Sequence, residues 1–361
     1  MKKIMFYINA IHDGGAERVM INLTKYFSES GYDSVLVTSF RDKWEYTVSE
    51  HVRRLSLEDV EIKQSRWKRN LSRIYKLRQL CKKEKPDILV SFMAEPNFRA
   101  ILATTGLPIK NLVSVRNDPE IEYGGKIGHL VGKYLLPLAD GCVFQTEEAK
   151  KWFPQKLQSK SRIIYNSVKE DFYHIERKPC KGEIVTCGRL EKQKNHALLI
   201  QAFAKIAREF PYATLKIYGE GSLKKQLQQQ INELHLQGRA FLMGATDHVE
   251  EVLKSADLFV LSSDFEGMPN ALMEAMAAGV PCISTDCPCG GPKELFGDYF
   301  KEQLIRMKNV GDLIESIEHI GQMTKADKIH FSNQIKERAE FFLPDRVNKR
   351  WKNYINDLLA K

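Results

Sequence analysis

The stretch from Gly182 to Gly221, GEIVTCGRLEKQKNHALLIQAFAKIAREFPYATLKIYGEG, combines two kinds of hydrophobic pattern. Short apolar runs that include β-branched residues stand near its two ends, and a longer run between them has the spacing of an amphipathic helix. A strand, a helix and a second strand in this order are typical of a parallel β-α-β unit. The stretch therefore predicts an α/β fold.

The same alternation of strand and helix patterns fills most of the chain and occurs in two series. The first series starts with the run KIMFYINA at residues 3–10, and the second starts at Gly182. Between them lies a polar segment at residues 173–182 that contains Pro179. Because polar residues with proline and glycine are typical of connections, we interpret this segment as a linker.

The length of the chain, 361 residues, exceeds what one ordinary hydrophobic core accommodates. We expect residues 1–170 and 171–343 to form two α/β domains, followed by a final helix at residues 344–361. Two such domains leave a cleft between them, and the carboxyl ends of their strands face this cleft. Ligands of open parallel sheets bind at those ends. The sequence therefore predicts a ligand site in a cleft between two domains.

The composition, with 43% hydrophobic and 28% charged residues, is that of a soluble globular protein. No apolar run approaches the roughly 20 residues of a membrane-spanning helix. The apolar run at the N-terminus is short and lacks a small-residue cleavage site, so it predicts a first strand rather than a signal peptide. We therefore expect a cytoplasmic protein.

The cysteines give little indication of a metal site. The chain has seven of them, an odd number, which favours free thiols. Cys282, Cys287 and Cys289 lie close together, but their spacing differs from the C-x-x-C pairs of structural zinc sites. We interpret them as packing residues and expect no bound metal.

The net charge of +9 is concentrated in the segment from Gln64 to Pro86, which is rich in Lys and Arg and carries one acidic residue. Trp67 and Tyr75 stand among its basic residues, as aromatic anchors often do in helices that lie on membranes. This favours contact with an anionic membrane surface, although a solvated helical face is the alternative. No zinc-finger spacing or RNA-binding signature is present, so nucleic acid is not an expected partner.

The first motif is the pair Gly14-Gly15 between the first strand and the first helix. Two glycines let the backbone approach a ligand closely, and the free N–H groups at a helix start favour an anion. A simple glycine turn explains the pair equally well. The motif is neither a G-x-G-x-x-G fingerprint nor a P-loop.

The second motif is CGRLEKQKN at residues 187–195, which follows the first strand of the second series. Gly188 and Arg189 end the strand, and Lys194 stands five residues later, just before the next helix. Two cations at such a turn stabilise a departing diphosphate. Ordinary surface charge is the alternative.

The third motif consists of the loop DFEGMPN at residues 264–270 and the helix that begins near Asn270. Glu266 lies in the loop and Glu274 in the first turns of the helix. Carboxylates placed there accept hydrogen bonds from sugar hydroxyls, while backbone N–H groups bind phosphate. The alternative is a capping acid and a solvent-exposed glutamate. However, the helix is apolar on all sides, which predicts that Glu274 is buried and needs a partner.

Taken in order, these motifs resemble those of the retaining glycosyltransferases of family 4, which have the GT-B fold. The family has a GG-x-E turn, a G-R-L-x-x-x-K turn and an E-x(7)-E element, which match Gly14–Glu17, Gly188–Lys194 and Glu266–Glu274. The segment IYNSV at 164–168 is similar to the family's N-G-V segment, with Ser167 in place of glycine. The resemblance covers essentially the whole chain. It implies two Rossmann-like α/β domains whose parallel sheets face a central cleft, with a final helix that crosses back to the first domain.

The resemblance also implies a nucleotide-sugar donor, with UDP-sugars favoured, and a set of residues that bind it. Arg189 and Lys194 would hold the diphosphate and act in catalysis together with Glu266, which would contact the donor sugar. Glu274 would bind the ribose hydroxyls. The further donor-binding residues that it implies are Gly14, Gly15, Gly188, Gly267, Met268, Pro269 and Asn270.

The reaction implied is glycosyl transfer with retention at the anomeric carbon and without a covalent nucleophile. Because the chain contains no D-x-D sequence, we expect neither a metal ion nor a cofactor. The first domain would bind the acceptor, for which we expect a lipid-linked glycan at the inner face of the cell membrane, in the synthesis of a cell-surface polysaccharide.

The chain departs from the family pattern in two places. Where many members have a histidine in a VxHD sequence, this chain has SVRNDPE, so Arg116, Asn117 and the later Asn166 are candidates for contact with the sugar or the acceptor. The N-G-L-L-V turn that usually follows KELF is also missing.

Two other functions fit the same fold. A nucleotide-sugar 2-epimerase would need acids and histidines in the cleft for proton transfer, and the paired glutamates speak against it. The other is a non-catalytic protein that binds a glycan or a partner enzyme. An oxidoreductase that uses a pyridine nucleotide is disfavoured because neither half has a G-x-G-x-x-G turn.

Overall fold

The protein's structure is a computed structural model that divides the chain into two compact units. It describes residues 1–12, 14–42, 45–61 and 65–360. Gln64, the first residue of the predicted basic segment, and Lys361, the last residue of the expected final helix, lie outside these ranges. The N-terminal unit comprises Met1–Asn166 together with the segment from Asp345 onward, and the C-terminal unit comprises Ser167–Pro344.

The N-terminal unit is built on a parallel sheet of seven strands in the order β3-β2-β1-β4-β5-β6-β7. Its strands are β1 (Lys3–Ile8), β2 (Asp33–Thr38), β3 (Arg53–Ser56), β4 (Ile88–Phe92), β5 (Lys110–Ser114), β6 (Gly141–Phe144) and β7 (Ser161–Ile163). Its helices are α1 (Gly15–Glu29), α2 (Arg66–Glu84), α3 (Ala94–Thr104), α4 (Pro119–Glu122), α5 (Gly125–Leu130), α6 (Glu147–Lys151) and α7 (Gln155–Gln158). Helix α5 continues into a π turn at Val131–Leu135 and a 3-10 turn at Leu136–Leu138.

The C-terminal unit is built on a second parallel sheet, of six strands, in the order β10-β9-β8-β11-β12-β13. Its strands are β8 (Glu183–Cys187), β9 (Thr214–Tyr218), β10 (Ala240–Gly244), β11 (Leu258–Leu261), β12 (Cys282–Thr285) and β13 (Leu304–Ile305). Its helices are α8 (His196–Glu209), α9 (Lys224–Glu233), α10 (Val249–Ser255), α11 (Asn270–Ala277), α12 (Gly291–Phe296), α13 (Val310–Gln322) and α14 (Lys325–Ala339). These two sheets confirm the predicted α/β class with two parallel-sheet domains.

Helices cover both faces of the N-terminal sheet, which explains why its central strands are apolar along their whole length. In β1, residues Ile4 to Ile8 are fully buried. Alternate side chains join two separate cores: Phe6 packs with α1 on one face, and Met5 packs with α2 and α3 on the other. The apolar runs of the sequence therefore correspond to strands that helices cover on two sides.

The last helix, α15 (Pro344–Leu359), packs on the N-terminal unit. Trp351 is fully buried and stacks on Phe92 at the end of β4, with ring centroids 5.7 Å apart. The Tyr354 hydroxyl accepts a hydrogen bond from the Cys142 amide at 3.0 Å and donates one to the Lys160 carbonyl. The chain therefore ends on the sheet with which it begins.

Candidate active site

In each sheet the strand order reverses beside the first strand of the unit, between β1 and β4 and between β8 and β11. The carboxyl edge of a parallel sheet at such a reversal is the usual place for a ligand, because the neighbouring connections leave the sheet on opposite faces there. Gly14 follows β1, Gly188 follows β8, and the loop that carries Glu266 follows β11. The three predicted motifs therefore follow strands that flank the two reversals.

In the C-terminal unit, Lys194 and Glu266 form an ion pair. The Lys194 ammonium lies 2.5 Å from Oε1 of Glu266, and their side chains are only 15% and 8% exposed. The Ser263 hydroxyl donates a second hydrogen bond to the same oxygen, at 2.7 Å. The structure thus brings together two residues that were predicted to act in catalysis, and it fixes the Glu266 carboxylate with two donors.

A glutamine that the sequence analysis missed connects Arg189 to this pair. Gln193 donates from Nε2 to the Phe265 carbonyl at 3.0 Å and lies 3.5 Å from Oε2 of Glu266. Its Oε1 accepts a hydrogen bond of 3.3 Å from the guanidinium of Arg189, whose side chain is otherwise exposed. In the sequence, only the position of Gln193 in the same turn as Arg189 and Lys194 could have indicated that it belongs to the site.

Asn195 joins the turn after β8 to the loop after β11. It has a left-handed backbone conformation with φ of 44°, and its Oδ1 accepts from the Leu198 amide as the N-cap of α8. Its Nδ2 donates to the Asp264 carboxylate at 2.9 Å. The two loops therefore hold each other in position at the carboxyl edge of the sheet.

Glycines make room for the charged side chains of the site. A Cβ atom on Gly188 would lie 3.1 Å from Cε of Lys194, so the lysine stem packs directly on this backbone. A Cβ atom on Gly291, at the start of α12, would lie 1.8 Å from the carbonyl oxygen of Gly267, which real Cβ atoms do not tolerate. The loop of Glu266 therefore requires glycine at position 291.

Glu274 lies on α11 and is 5% exposed, as the apolar surroundings in the sequence predict. Burial, and to a smaller extent the Glu274 carboxylate, raise the pKa of the Cys187 thiol at the end of β8 to about 12. The carboxylate is therefore close to the carboxyl edge of the sheet. Gly267, Met268 and Pro269, the other predicted donor contacts before α11, are buried in the loop, and Asn270 is half-buried at the start of the helix.

His196, also missed by the sequence analysis, supports the turn of Gly188. Burial lowers the pKa of its imidazole to about 4, so the ring is neutral at neutral pH. Nε2 lies 3.3 Å from the Gly188 carbonyl. Because a carbonyl only accepts hydrogen bonds, Nε2 carries the proton and donates it to this oxygen. The imidazole therefore holds the backbone that presents Arg189.

In the N-terminal unit, Gly14 and Gly15 lie at the start of α1, as predicted. The Glu17 side chain folds back over Gly14, so that a Cβ atom there would lie 1.7 Å from the Glu17 carboxylate. This return of an acidic side chain at the third helical position is typical of a capping box. A side chain at position 14 would therefore displace the Glu17 carboxylate, which is the far end of a flexible side chain and not backbone.

Arg116 and Asn166, two predicted acceptor or sugar contacts, meet at the carboxyl edge of the N-terminal sheet. Arg116 is 7% exposed, and its Nη2 donates to Oδ1 of Asn166. The third candidate, Asn117, instead accepts a hydrogen bond from the neighbouring Asp118 amide. Gln145, which follows β6 and was not predicted, donates to the same Asn166 oxygen at 2.8 Å.

The clustered cysteines take part in packing. Cys282 and Cys287 are buried, and Cys287 donates from Sγ to the Ser263 carbonyl. Burial raises the pKa of the Cys287 thiol to about 12. Within the described ranges, no group of three or more His, Cys, Asp or Glu side chains is placed to hold a metal ion.

The basic segment forms α2, and its cations are not all on the surface. Arg73 is buried and forms an ion pair of 2.8 Å with the buried Glu58. Trp67, Leu71 and Tyr75 are 71%, 65% and 65% exposed, and their spacing of four residues places them on one face of the helix. None of the helices in the described part of the chain is both long and apolar enough to cross a lipid bilayer.

Comparison with known proteins gives relatives that include several proteins named as glycosyltransferases. An uncharacterized glycosyltransferase of Methanocaldococcus jannaschii is 32% identical over 62% of this chain and 61% of its own length. A Campylobacter jejuni enzyme is 28% identical over 95% of this chain and 96% of its own. Its name is N-acetylgalactosamine-N,N'-diacetylbacillosaminyl-diphospho-undecaprenol 4-alpha-N-acetylgalactosaminyltransferase.

Solved structures confirm the predicted GT-B fold. Alr3699/HepE of Anabaena, crystallised in complex with UDP, superposes with a TM-score of 0.81, covering 99% of this chain and all of its own at 16% identity.

Two family models match consecutive parts of the sequence. The model of Glycosyltransferase Family 4 matches residues 13–172, and the model of Glycosyl transferases group 1 matches residues 169–340. The two matches agree with the order of the motifs and with the fold. The chain is therefore a glycosyltransferase that belongs to family 4.

Proposed function

We propose that this glycosyltransferase moves a sugar from a nucleotide-sugar donor, with UDP-sugars favoured, to a lipid-linked glycan, with retention of the anomeric configuration. The product would serve in the synthesis of a cell-surface polysaccharide. The observation that carries the proposal is the connected set of Arg189, Gln193, Glu266 and Lys194 at the strand-order reversal of the C-terminal sheet. The UDP bound to the Anabaena protein and the diphospho-undecaprenol acceptor in the name of the Campylobacter enzyme support it.

Arg189 and Lys194 are the groups that would bind the diphosphate. They belong to one turn, and the exposed guanidinium of Arg189 has a single side-chain partner, Gln193, in the described part of the chain. As the bond between sugar and diphosphate breaks, negative charge develops on the leaving oxygen. Cations that are already in place stabilise this charge without reorganisation during the reaction.

Glu266 and Glu274 would recognise the two sugars of the donor. Oε1 of Glu266 accepts hydrogen bonds from Lys194 and Ser263, whereas Oε2 has only a long contact with Gln193. A carboxylate has about four lone-pair positions, so Oε2 retains the capacity to accept a hydrogen bond from a hydroxyl of the transferred sugar. Glu274, farther along α11, would accept from the ribose hydroxyls.

Retention without a covalent nucleophile requires that the acceptor attacks from the face that the diphosphate leaves. The departing diphosphate then takes the proton of the acceptor hydroxyl. Glu266 is already engaged by an ammonium and a hydroxyl, which suits a positioning and electrostatic role better than nucleophilic attack. Catalysis would therefore rest on orientation of the two substrates and on stabilisation of the leaving group.

An anionic membrane surface would be the partner of the N-terminal unit. The exposed face of α2 presents Trp67, Leu71 and Tyr75 beside the exposed cations Arg66 and Lys68. Aromatic and apolar side chains next to Lys and Arg are typical of helices that lie in the interface of an anionic bilayer.

A second group of exposed apolar side chains belongs to α5 and the turns after it. Ile127, Leu130, Tyr134 and Leu138 are 64%, 56%, 61% and 61% exposed, and Lys126 and Lys133 are exposed among them. The strands β4, β5 and β6 follow one another in the sheet, so right-handed crossovers place this segment on the same face as α3, against which α2 packs. The two groups together form the proposed membrane face.

The test is a transfer assay with the full-length chain. UDP-, GDP- and ADP-sugars would be incubated with a short glycan on a polyprenyl diphosphate, while the release of nucleoside diphosphate and the anomeric configuration of the product are measured. We expect acceptor-dependent release with an α-linked product from an α-linked donor, and its loss in Glu266→Gln. Formation of a 2-epimeric sugar without an acceptor would indicate the epimerase instead. Donor binding without turnover for any pair would contradict the enzyme assignment.

A further inference from the structure

Arg116 is a buried cation whose hydrogen-bonding capacity is largely unused. Its side chain follows β5 at the carboxyl edge of the N-terminal sheet, and the residue is 7% exposed. Nη2 donates to Asn166, whereas Nε and Nη1 are buried without a hydrogen-bond partner in the described structure. Buried donors without a partner are costly and rare in native proteins. Their presence on one side chain indicates that a ligand group completes the site.

The surroundings hold this guanidinium in one place. It stacks on the ring of Phe92 at 4.5 Å, and Phe92 stacks in turn on the fully buried Trp351. The Asn166 oxygen that accepts from Arg116 also accepts from Gln145, which restricts the orientation of the amide. A side chain fixed in this way has already lost its rotamer entropy, so a ligand that binds it does not bear that cost.

The charge of Arg116 is incompletely compensated inside the protein. Two carboxylates, Glu122 and Glu17, act on it electrostatically, but Glu122 bonds to the Ala94 amide and Glu17 folds over Gly14. Burial outweighs their effect and lowers the pKa of the guanidinium to about 9. A neutral hydroxyl would satisfy the free donors but leave the charge, whereas an anion would satisfy both.

We propose that Arg116, held by Asn166 and Phe92, forms an anion subsite that binds a phosphate group of a substrate. Phosphate oxygens accept several hydrogen bonds at once, and guanidinium is the side chain best suited to them. Within the proposed function, the phosphate belongs either to the nucleotide-sugar donor or to the prenyl diphosphate of the acceptor. The proposal rests on that function only for the identity of the substrate.

The first test measures pyrophosphate binding to the full-length chain. Because Arg189 also binds phosphate in the proposed function, Arg189→Gln serves as the background. In the Arg189→Gln background we expect inorganic pyrophosphate to raise the unfolding temperature. Adding Arg116→Gln should weaken the affinity of the protein for pyrophosphate by about ten- to a hundredfold. Arg162→Gln, which removes an exposed arginine from the same unit, is the matched control and should change nothing. Unchanged affinity in Arg116→Gln, or no pyrophosphate binding in the background, would overturn the proposal.

A measurement without ligand separates binding from a structural role. A buried cation that is incompletely paired carries a desolvation cost, which a neutral polar group at the same position does not carry. Arg116→Gln should therefore unfold at the same or a higher temperature than the wild type, and Arg116→Lys should bind pyrophosphate better than Arg116→Gln. An Arg116→Gln chain that unfolds several degrees lower and binds pyrophosphate normally would show a structural role instead.

The last comparison identifies the substrate. If the phosphate belongs to the acceptor, Arg116→Gln weakens binding of geranyl diphosphate and leaves UDP and GDP unchanged, while Arg189→Gln does the reverse. If it belongs to the donor, both variants weaken the nucleotides. Either result supports the subsite, and loss of affinity for neutral sugars alone contradicts it. These tests measure binding and unfolding and do not depend on turnover, so a failure of the transfer assay does not affect them.

Discussion

The ammonium of Lys194 lies 2.5 Å from Oε1 of Glu266, although 72 residues separate the two along the chain. The contact joins the turn after β8 to the loop after β11. Both side chains are largely buried, so water competes only weakly for either charge. The pair therefore links the predicted diphosphate site and the predicted sugar site in one electrostatic unit.

Replacement of Glu266 by Gln should damage both stability and catalysis. The amide keeps the shape of the side chain but leaves the Lys194 ammonium without its counter-charge, which costs about 2 to 4 kcal/mol of unfolding free energy for a buried pair. Turnover should fall by about a hundredfold or more, because the remaining ammonium is no longer positioned. Urea unfolding and kcat/KM measure the two effects.

A double-mutant cycle with Lys194→Met isolates the pair. If the two side chains act as a unit, the double variant Lys194→Met/Glu266→Gln loses less stability than the sum of the single variants, by at least about 1 kcal/mol. Additive losses of stability would contradict the coupling that the contact implies.

Arg189→Gln should affect turnover far more than stability. The Arg189 side chain is exposed and has one hydrogen-bond partner in the described structure, Gln193 at 3.3 Å, so its loss should change the unfolding free energy by no more than about 0.5 kcal/mol. Removal of a cation from the leaving group should lower kcat by about a hundredfold. Lys192→Gln, an exposed cation in the same turn, is the control and should retain activity. Equal loss in both variants would indicate a general effect of charge.

Gly291→Ala should displace the loop that carries Glu266. The new methyl group would lie 1.8 Å from the Gly267 carbonyl oxygen, so that the backbone of one segment has to move. We expect a loss of about 1 to 3 kcal/mol in stability together with a higher KM for the donor. Gly311→Ala in α13 meets only a side-chain oxygen at 3.3 Å and should retain full activity. Normal donor KM in Gly291→Ala would show that the loop position is unimportant.

Membrane binding should depend on the exposed aromatic residues of α2. Trp67→Ser and Tyr75→Ser should each weaken binding to vesicles that contain anionic lipid by about tenfold, because they remove large apolar side chains from the interface. Tyr299→Ser, which changes an aromatic residue that is 90% exposed on the C-terminal unit, should leave binding unchanged. Co-sedimentation with anionic and with zwitterionic vesicles measures the effect. Equal binding by all variants would exclude the proposed membrane face.

Glu122 should make stability depend on pH near neutrality. Burial raises the pKa of its carboxyl to about 7, whereas an unfolded glutamate titrates near pH 4.3 by ordinary values. Between these values the folded state binds the proton more tightly, so the free energy of unfolding falls as the pH rises toward 7 and is level above it. Glu122→Gln removes this loss. The unfolding free energy of Glu122→Gln relative to that of the wild type should therefore be about 2 to 3 kcal/mol higher at pH 8 than at pH 4.5. Thermal unfolding at both pH values measures the difference.

The exposed neighbour Glu120 supplies the control for this experiment. Glu120→Gln should leave the difference between pH 4.5 and pH 8 as it is in the wild type. A parallel pH profile for Glu122→Gln and the wild type would mean that the carboxyl titrates normally in the folded protein.

Much of the candidate site was accessible from the sequence because its residues follow strands. Arg189 and Lys194 lie in one turn after β8, and Glu266 lies in the loop after β11, so their approximate placement follows from the strand pattern alone. Gln193, His196 and Gln145 were missed. Their side chains form hydrogen bonds with residues that are distant in the sequence or with backbone carbonyls. No hydrophobic pattern in the sequence indicates such contacts.

The sequence by itself determined that this protein has two α/β parts with parallel sheets, because the periodicity of apolar residues reports local burial and the order of strands and helices limits the topology. Only the tertiary structure decided which charges meet. It pairs Lys194 with Glu266, buries Arg73 against Glu58 within a helix whose composition predicts a basic surface, and leaves Arg116 buried with free donors. The physical reason is that an ion pair depends on which strands become neighbours, and that order is set by the packing of the whole unit.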